Sequence, residues 1–151
     1  MASIYAVGVI LQGITAFMVP QIRISDMLLP LSIIFGWPGI IGLSLGTIVA
    51  NITSPYAGPV EVGGGTLANL IACYVAWKIG SQKFRGSWVT SIIIQNIIIT
   101  IIVGSYLSFL LGLPLEVTLT SVFLGSFVAM NIVGYLLLKA VHIRLKSSKN
   151  S

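Results

Sequence analysis

The sequence predicts an all-α membrane protein, a bundle of helices held in the lipid bilayer. Of its 151 residues, 56% are hydrophobic and only 7% are charged, whereas soluble domains are about 45–50% apolar and about 25% charged. A soluble fold of this length has too little interior to bury so much apolar surface. The apolar residues also form long runs, and a transmembrane helix needs about 20 of them. Lipid must therefore cover the outside of the fold.

Five apolar runs predict the helices. They are Ile4–Pro20, Met27–Ile52, Thr66–Ile79, Trp88–Leu111 and Leu115–Val141. The second run is interrupted at 36–39, Gly-Trp-Pro-Gly, and closely spaced proline and glycine favour a turn. That run is either one kinked helix or two short ones, so hydropathy leaves five or six helices. Barrel strands are not predicted, because they would alternate polar and apolar residues.

The stretches between the runs predict the loops. A long loop is expected over Thr53–Gly65, which contains two prolines and three consecutive glycines. A basic loop follows at Gly80–Ser87, and 112–114, Gly-Leu-Pro, is a tight turn. We predict a membrane domain over residues 1–142 and a basic cytoplasmic tail over 143–151.

Lysine and arginine predict the orientation in the membrane. Seven of the eight basic residues form two clusters: Lys78, Lys83 and Arg85, then Lys139, Arg144, Lys146 and Lys149. Two helices separate the clusters, so both lie on one side, which the positive-inside rule makes cytoplasmic. Six helices place the amino terminus inside and Arg23 outside, and five helices reverse both. The charges do not decide between these alternatives.

The composition argues against several other functions. The net charge of +5 does not indicate nucleic-acid binding, because the basic residues lie in loops and not over a folded surface. Cys73 and His142 are each the only residue of their type, and no cluster of metal ligands or nucleophile with its base is present. Gly63-Gly64-Gly65-Thr66 lacks the lysine of a nucleotide-hydrolysing loop. We predict a protein that is not an enzyme and that has no metal or cofactor.

Charged residues outside the basic clusters are candidates for a binding site. They are Arg23, Asp26, Glu61 and Glu116. Asp26 and Glu61 flank apolar helix starts, where a carboxylate should point inward and mark a functional site. Arg23 and Asp26 alternatively form a local i, i+3 pair. Glu116 is expected in the first turn of the last helix, where it complements the helix dipole.

Side-chain amides should face other helices and not lipid. Asn51 and Asn69 flank the glycine-rich loop and are predicted to line a site. Asn96 and Asn131 lie at similar depth in consecutive helices, so a direct amide pair is predicted between them. Small residues spaced four apart from Gly42 to Ala50 predict close helix packing.

Three motifs occur together in the order and spacing of a known family. They are Gln21-Ile22-Arg23-Ile24-Ser25-Asp26-x-Leu28, Gly42-x-x-x-Gly46-x-x-x-Ala50-Asn51 and Glu61-x-x-x-Gly65-Thr66-Leu67-Ala68. From about residue 2 to 141 the chain resembles the QueT family, substrate-binding (S) components of energy-coupling factor (ECF) transporters linked to queuosine precursors. One difference is Glu61, where the family usually has aspartate.

The resemblance implies a fold, a function and partners. The fold is a bundle of six transmembrane helices, with an outward-facing site built from outer loops and the last three helices. The function is substrate binding for an ECF-type ABC importer, and the solute is a deazaguanine base. A transmembrane coupling subunit and two ATPase subunits would drive uptake. Ala2-x-x-x-Ala6 resembles the family's first-helix contact for the coupling subunit.

The chemistry of such a base suggests roles for the candidate residues. A deazaguanine presents adjacent ring N–H and amino donors, and a carboxylate accepts both. Asp26 or Glu61 would take that role, Asn51 or Asn69 would read the remaining edge, and an aromatic ring would stack on the base. The predicted substrate-binding residues are Arg23, Asp26, Asn51, Glu61, Asn69 and Tyr106, with Tyr56 and Phe109 as further stacking candidates.

Three other functions are alternatives to this one. In these alternatives the chain would be an S component for another vitamin-like solute, a stand-alone secondary transporter or facilitator, or a structural membrane subunit that binds no solute. A facilitator would carry flux alone, and such folds often contain internal repeats, of which the sequence shows none. In a structural subunit, alanine at Asp26 and Glu61 would change no ligand interaction.

Overall fold

The computed structural model describes residues 1–16, 23–82 and 84–148, and helices account for nearly all of them. The six helices are α1 (Ala2–Gln12, followed by a 3-10 turn over Gly13–Ala16), α2 (Ile24–Phe35), α3 (Trp37–Ile52), α4 (Pro59–Gly80), α5 (Ser87–Leu111) and α6 (Leu115–Ser148). The described residues include no β-strand. The predicted all-α fold is therefore confirmed.

The joint between α2 and α3 is a single residue, Gly36. Its φ of 58° lies in the left-handed region that favours glycine. A Cβ there would lie 3.2 Å from the indole nitrogen of Trp77, so the joint also packs closely against α4. The interrupted second run thus forms two helices, which is one of the two alternatives that the sequence left open.

Helix α4 begins earlier than the sequence predicts. Its first residue is Pro59, a residue favoured at this position because its missing N–H would be unpaired there anyway. The predicted loop over Thr53–Gly65 is therefore wrong in its second half, and Glu61 lies in the first turn of α4. The glycine triplet that suggested a loop is inside the helix, where two of its members allow neighbouring side chains to approach.

The helices pack as a closed ring. Helix α1 contacts α3, α3 contacts α4, α4 contacts α5 and α5 contacts α6, while α2 contacts both α6 and α1. The approach of α1 to α3 is close, because a Cβ at Gly46 would lie 2.7 Å from the carbonyl oxygen of Ala2. The close helix packing predicted from the small-residue motif of α3 is present, and it is made within the chain.

Both basic clusters lie at one end of the ring, as the sequence predicts. Trp88, at the start of α5, meets His142 of α6 edge to face, with ring centroids 5.0 Å apart. The Met1 side chain lies beside Gly42 of α3, and Trp77 of α4 lies beside Gly36. The start of α1 therefore lies at this lysine-rich end too, and successive helices run in alternating directions. Lys83 and Lys149 lie outside the described residues.

The surface is far more apolar than that of a soluble protein, and several polar side chains are buried. Large apolar side chains face outward, including Leu11, Ile4 and Leu136, which are 81%, 64% and 62% exposed. Polar side chains such as Gln95 and Asn51 are fully buried. Helices α5 and α6 are long and apolar enough to cross a membrane, while α1, α2 and α3 are apolar but shorter. Together these features place the protein in a membrane.

Candidate functional site

Buried polar side chains gather toward the end of the ring opposite the lysines. Five of the six helices, together with Arg23 immediately before α2, contribute to this group, which we call the polar cluster. It comprises Tyr5, Arg23, Asp26, Thr47, Asn51, Glu61 and Asn69, all at most 6% exposed, and the hydroxyl of Tyr106, which is buried as well. A concentration of buried polar groups in an apolar bundle indicates a functional site.

An ion pair joins Arg23 to Glu61. A terminal guanidinium nitrogen lies 3.0 Å from Glu61 Oε1, and the two side chains are 6% and 1% exposed. Arg23 Nε also donates to the carbonyl of Ala16 at 3.3 Å. Within the described residues, Arg23 therefore forms its ion pair with Glu61 and not with Asp26, the local partner that was the alternative from the sequence. Removing one partner of such a buried pair is strongly destabilising.

Asp26 is held by a chain of hydrogen bonds across four helices. The Tyr5 hydroxyl donates to Asp26 Oδ1 at 2.7 Å. The amide nitrogen of Asn69 donates to the Tyr5 oxygen at 3.3 Å and also to Thr47 Oγ1. Thr47 in turn donates to the backbone carbonyl of Leu43 at 3.0 Å. This chain fixes the acid and the amide in one orientation.

Asn51 and Tyr106 surround the start of α4. The amide nitrogen of Asn51 donates to the backbone carbonyl of Glu61 at 2.9 Å. Tyr106 packs on Gly64, where a Cβ would come 3.0 Å from the ring. At Gly65 a Cβ would lie 2.3 Å from the Asn51 amide nitrogen and 3.4 Å from the Tyr106 oxygen. The two glycines therefore let both side chains reach the helix backbone.

Three oxygens in this region are buried and have no hydrogen-bond partner. They are Glu61 Oε2, Asn51 Oδ1 and the Tyr106 hydroxyl oxygen. Buried polar atoms are nearly always paired, so each exception needs an explanation. The Asn51 oxygen can only accept hydrogen bonds, and the same holds for Glu61 Oε2 when the carboxylate is ionised. This set of buried oxygens is suited to a ligand rich in N–H donors.

A small cavity lies beside the ion pair. Arg23, Asp26, Asn69 and Ser126 contribute its polar lining, and Ile99, Val103 and Val122 contribute its apolar lining. Its volume is about 10 Å³, enough for roughly one water molecule. A heterocyclic base cannot enter unless a lining side chain moves.

The structure brings all six predicted substrate-binding residues into the polar cluster. The resemblance implied a site from outer loops and the last three helices, but here α1, α2 and α3 also contribute. Tyr56 lies in the loop after α3 and is 41% exposed, and Phe109 is 80% exposed. Phe109 lines an outer groove of about 540 Å³ that also includes Tyr106. Neither of these two rings contributes to the buried cluster.

The small residues of α1 pack against other parts of the same chain. Ala6 is 5% exposed, and the carbonyl of Ala2 lies against Gly46. The contact predicted between these alanines and a coupling subunit stays a prediction. The exposed surface of α1 consists of larger apolar side chains, among them Val7 and Leu11.

The predicted amide pair between Asn96 and Asn131 is not formed. The side-chain oxygens of both are buried and have no hydrogen-bond partner. The reason lies in α6, which widens to a π-helix over Phe127–Gly134. The wider turn changes the direction of Asn131, which lines a groove against Ile92 and Ile93 of α5.

Sequence reasoning missed Tyr5 and Thr47. A buried tyrosine hydroxyl usually finds a partner, so a tyrosine within an apolar run was a weak signal. Thr47 carried none, because threonine commonly bonds to the backbone one turn earlier in its own helix. Their roles emerge only from the packing of α1, α3 and α4 around Asn69.

Replacing Tyr5 with phenylalanine is expected to destabilise the protein by about 1–3 kcal/mol, because Asp26 and Asn69 each lose a buried partner. The measurement is thermal unfolding in detergent. Tyr56→Phe is the matched control, since Tyr56 is exposed and should unfold at the wild-type temperature. If the two variants unfold at the same temperature, the Tyr5 hydroxyl does not hold the acid in place.

Comparison with known proteins identifies the family. The QueT transporter family model matches residues 1–142, nearly the whole chain. Searches of curated proteins and of solved structures found no match. The resemblance seen in the three motifs is thereby confirmed, and a transported small molecule is the substrate that the family implies. The chain belongs to the QueT transporter family.

Proposed function

We propose that this chain is the substrate-binding subunit of an ECF-type ABC importer and that it binds a queuosine precursor, a deazaguanine base. All six helices cross the cell membrane, and both termini lie in the cytoplasm. A transmembrane coupling subunit and two ATPase subunits complete the transporter. The isolated chain binds the solute and does not transport it alone.

Two unpartnered acceptor oxygens, Glu61 Oε2 and Asn51 Oδ1, carry this proposal. A deazaguanine presents a ring N–H and an amino group side by side, and together they offer three N–H donors. The two oxygens of the Glu61 carboxylate accept from the pair, and Asn51 Oδ1 accepts a further hydrogen bond. Hydrogen bonds to a charged acceptor are about twice as strong as neutral ones. A base of this kind satisfies acceptors that have no other partner.

The position of the polar cluster supports uptake from outside. Arg23, Asn51 and Glu61 lie near the helix ends opposite the lysine-rich end, where α1 begins and α6 ends. The positive-inside rule makes the lysine-rich end cytoplasmic. The solute therefore enters from the external side, and the ATPase subunits act at the other.

Two bases that differ only in the amino group test the proposal. We expect 7-deazaguanine to bind the detergent-solubilised chain at least about 100-fold more tightly than 7-deazahypoxanthine, because the latter leaves a buried acceptor unpaired. Isothermal titration calorimetry measures both affinities. Equal affinities would exclude recognition of the amino group, and binding of neither base would point to another vitamin-like solute.

Transport assays separate the importer from a facilitator. Vesicles that contain this chain alone should show no flux of a solute that it binds. Flux without ATPase partners would contradict the importer and favour a stand-alone transporter.

A further inference from the structure

We propose that Arg23 is an internal substitute for the ligand: in the empty protein its guanidinium occupies the Glu61 carboxylate that the donor edge of the base takes on binding. The identity of that edge rests on the proposed function. The exchange itself rests on the contacts of Arg23. Arg23 is thus a residue that sets both affinity and selectivity.

The geometry of the ion pair supports this exchange. Arg23 donates to Glu61 Oε1 at 3.0 Å, and both side chains are buried. A guanidinium is a planar carbon bearing N–H donors in a fixed fork. The ring N–H and amino group of a deazaguanine are attached to the same kind of carbon. The side chain and the base therefore offer the carboxylate the same donor pattern.

The lack of space around the cluster points to the same exchange. The cavity beside Arg23 holds about 10 Å³, whereas ligand pockets usually measure about 300–1,000 Å³. Arg23 lines this cavity and also contacts Glu61. Movement of this one side chain therefore enlarges the cavity on the side of the Glu61 carboxylate.

Arg23 has a second carboxylate within the same lining. Asp26 faces the cavity, and its Oδ1 accepts from Tyr5, which leaves Oδ2 as the acceptor for an arriving guanidinium. We infer that Arg23 pairs with Glu61 in the empty protein and with Asp26 in the loaded one. In both states each acid keeps at least one hydrogen-bond donor, which limits the penalty of a buried charge without a partner.

A competing side chain lowers the apparent affinity of the ligand. Binding must first populate the state in which Arg23 has left Glu61, and the apparent dissociation constant rises in proportion to the rarity of that state. Arg23→Gln keeps a donor near Glu61 but removes the guanidinium. We expect this variant to bind 7-deazaguanine roughly tenfold more tightly than the wild type.

Calorimetry with 7-deazaguanine provides the test. Arg144→Gln is the matched control, since Arg144 is exposed near the end of α6 and its loss should leave affinity unchanged. Tighter binding by Arg23→Gln, with no change in Arg144→Gln, supports the role of Arg23 as an internal substitute for the ligand. Weaker or unchanged binding overturns it, because an arginine that contacts the solute directly would strengthen binding.

A second measurement applies even if Arg23→Gln is unstable. The free guanidinium ion at millimolar concentration should raise the unfolding temperature of Arg23→Ala above that in sodium chloride of equal ionic strength. The wild type and Arg144→Ala should show no such difference. Absence of this rescue in Arg23→Ala overturns the proposal.

The outcomes also distinguish this proposal from the proposed function. Rescue by guanidinium, without deazaguanine binding to the wild type, supports the internal substitute and refutes the ligand. Deazaguanine binding that weakens in Arg23→Gln supports the ligand and refutes the internal substitute.

Discussion

Replacing Glu61 with glutamine is expected to weaken binding of 7-deazaguanine by at least about 100-fold, because a site that hydrogen-bonds a polar ligand edge discriminates strongly when one acceptor is lost. The amide keeps the shape of the carboxylate but has one acceptor oxygen and a nitrogen that donates. That nitrogen faces the donors of the base, and Arg23 loses its ionic partner. Calorimetry on the purified variant measures the change.

Glu116 supplies the control for this substitution. Glu116→Gln removes the same charge from an exposed position in the first turn of α6. We expect it to bind the base like the wild type. An equal loss in both variants would indicate a general electrostatic effect, and unchanged affinity in Glu61→Gln would exclude the carboxylate from the site.

Gly65→Ala is expected to reduce affinity by about 10- to 100-fold. The new Cβ would lie 2.3 Å from the Asn51 amide nitrogen, so this amide must move away from the Glu61 carbonyl that it now holds. Forcing extra atoms into a packed region costs about 1–3 kcal/mol. Calorimetry reports the lost affinity, and thermal unfolding reports the lost stability.

Gly63→Ala is the control within the same turn of α4. A Cβ at Gly63 meets no atom within 4 Å, and alanine favours a helix by about 0.8–1.0 kcal/mol over glycine. This variant should bind normally and unfold at the wild-type temperature or above it. Similar losses at both glycines would mean that the close approach of Asn51 has no role.

The sequence predicted the helices well where the chain itself marks their ends. Helix α5 ends at Leu111, before a glycine with a φ of 64°, and α6 begins after Pro114, as expected. The start of α4 was mispredicted, because the glycine triplet has a low helix propensity. Asn51 and Tyr106 pack against this turn in the folded chain, and no local pattern contains that information.

The candidate site was predictable in composition but not in its contacts. Acids and amides in apolar surroundings stand out, which is why all six predicted residues lie in the polar cluster. The partner of Arg23 was not predictable, because Glu61 is 38 residues away while Asp26 is only one turn away. The role of Tyr5 likewise depends on how α1 crosses the other helices, and hydrophobic periodicity does not encode that crossing.

The small molecule that co-purifies with the protein tests the central claim most directly. Native mass spectrometry of the detergent-solubilised chain, followed by release and identification of the bound species, should find a deazaguanine on the wild type and on Glu116→Gln. The same preparation of Glu61→Gln should carry none. If Glu61→Gln retains the same species in the same amount, the buried acid and amide cluster is not the binding site.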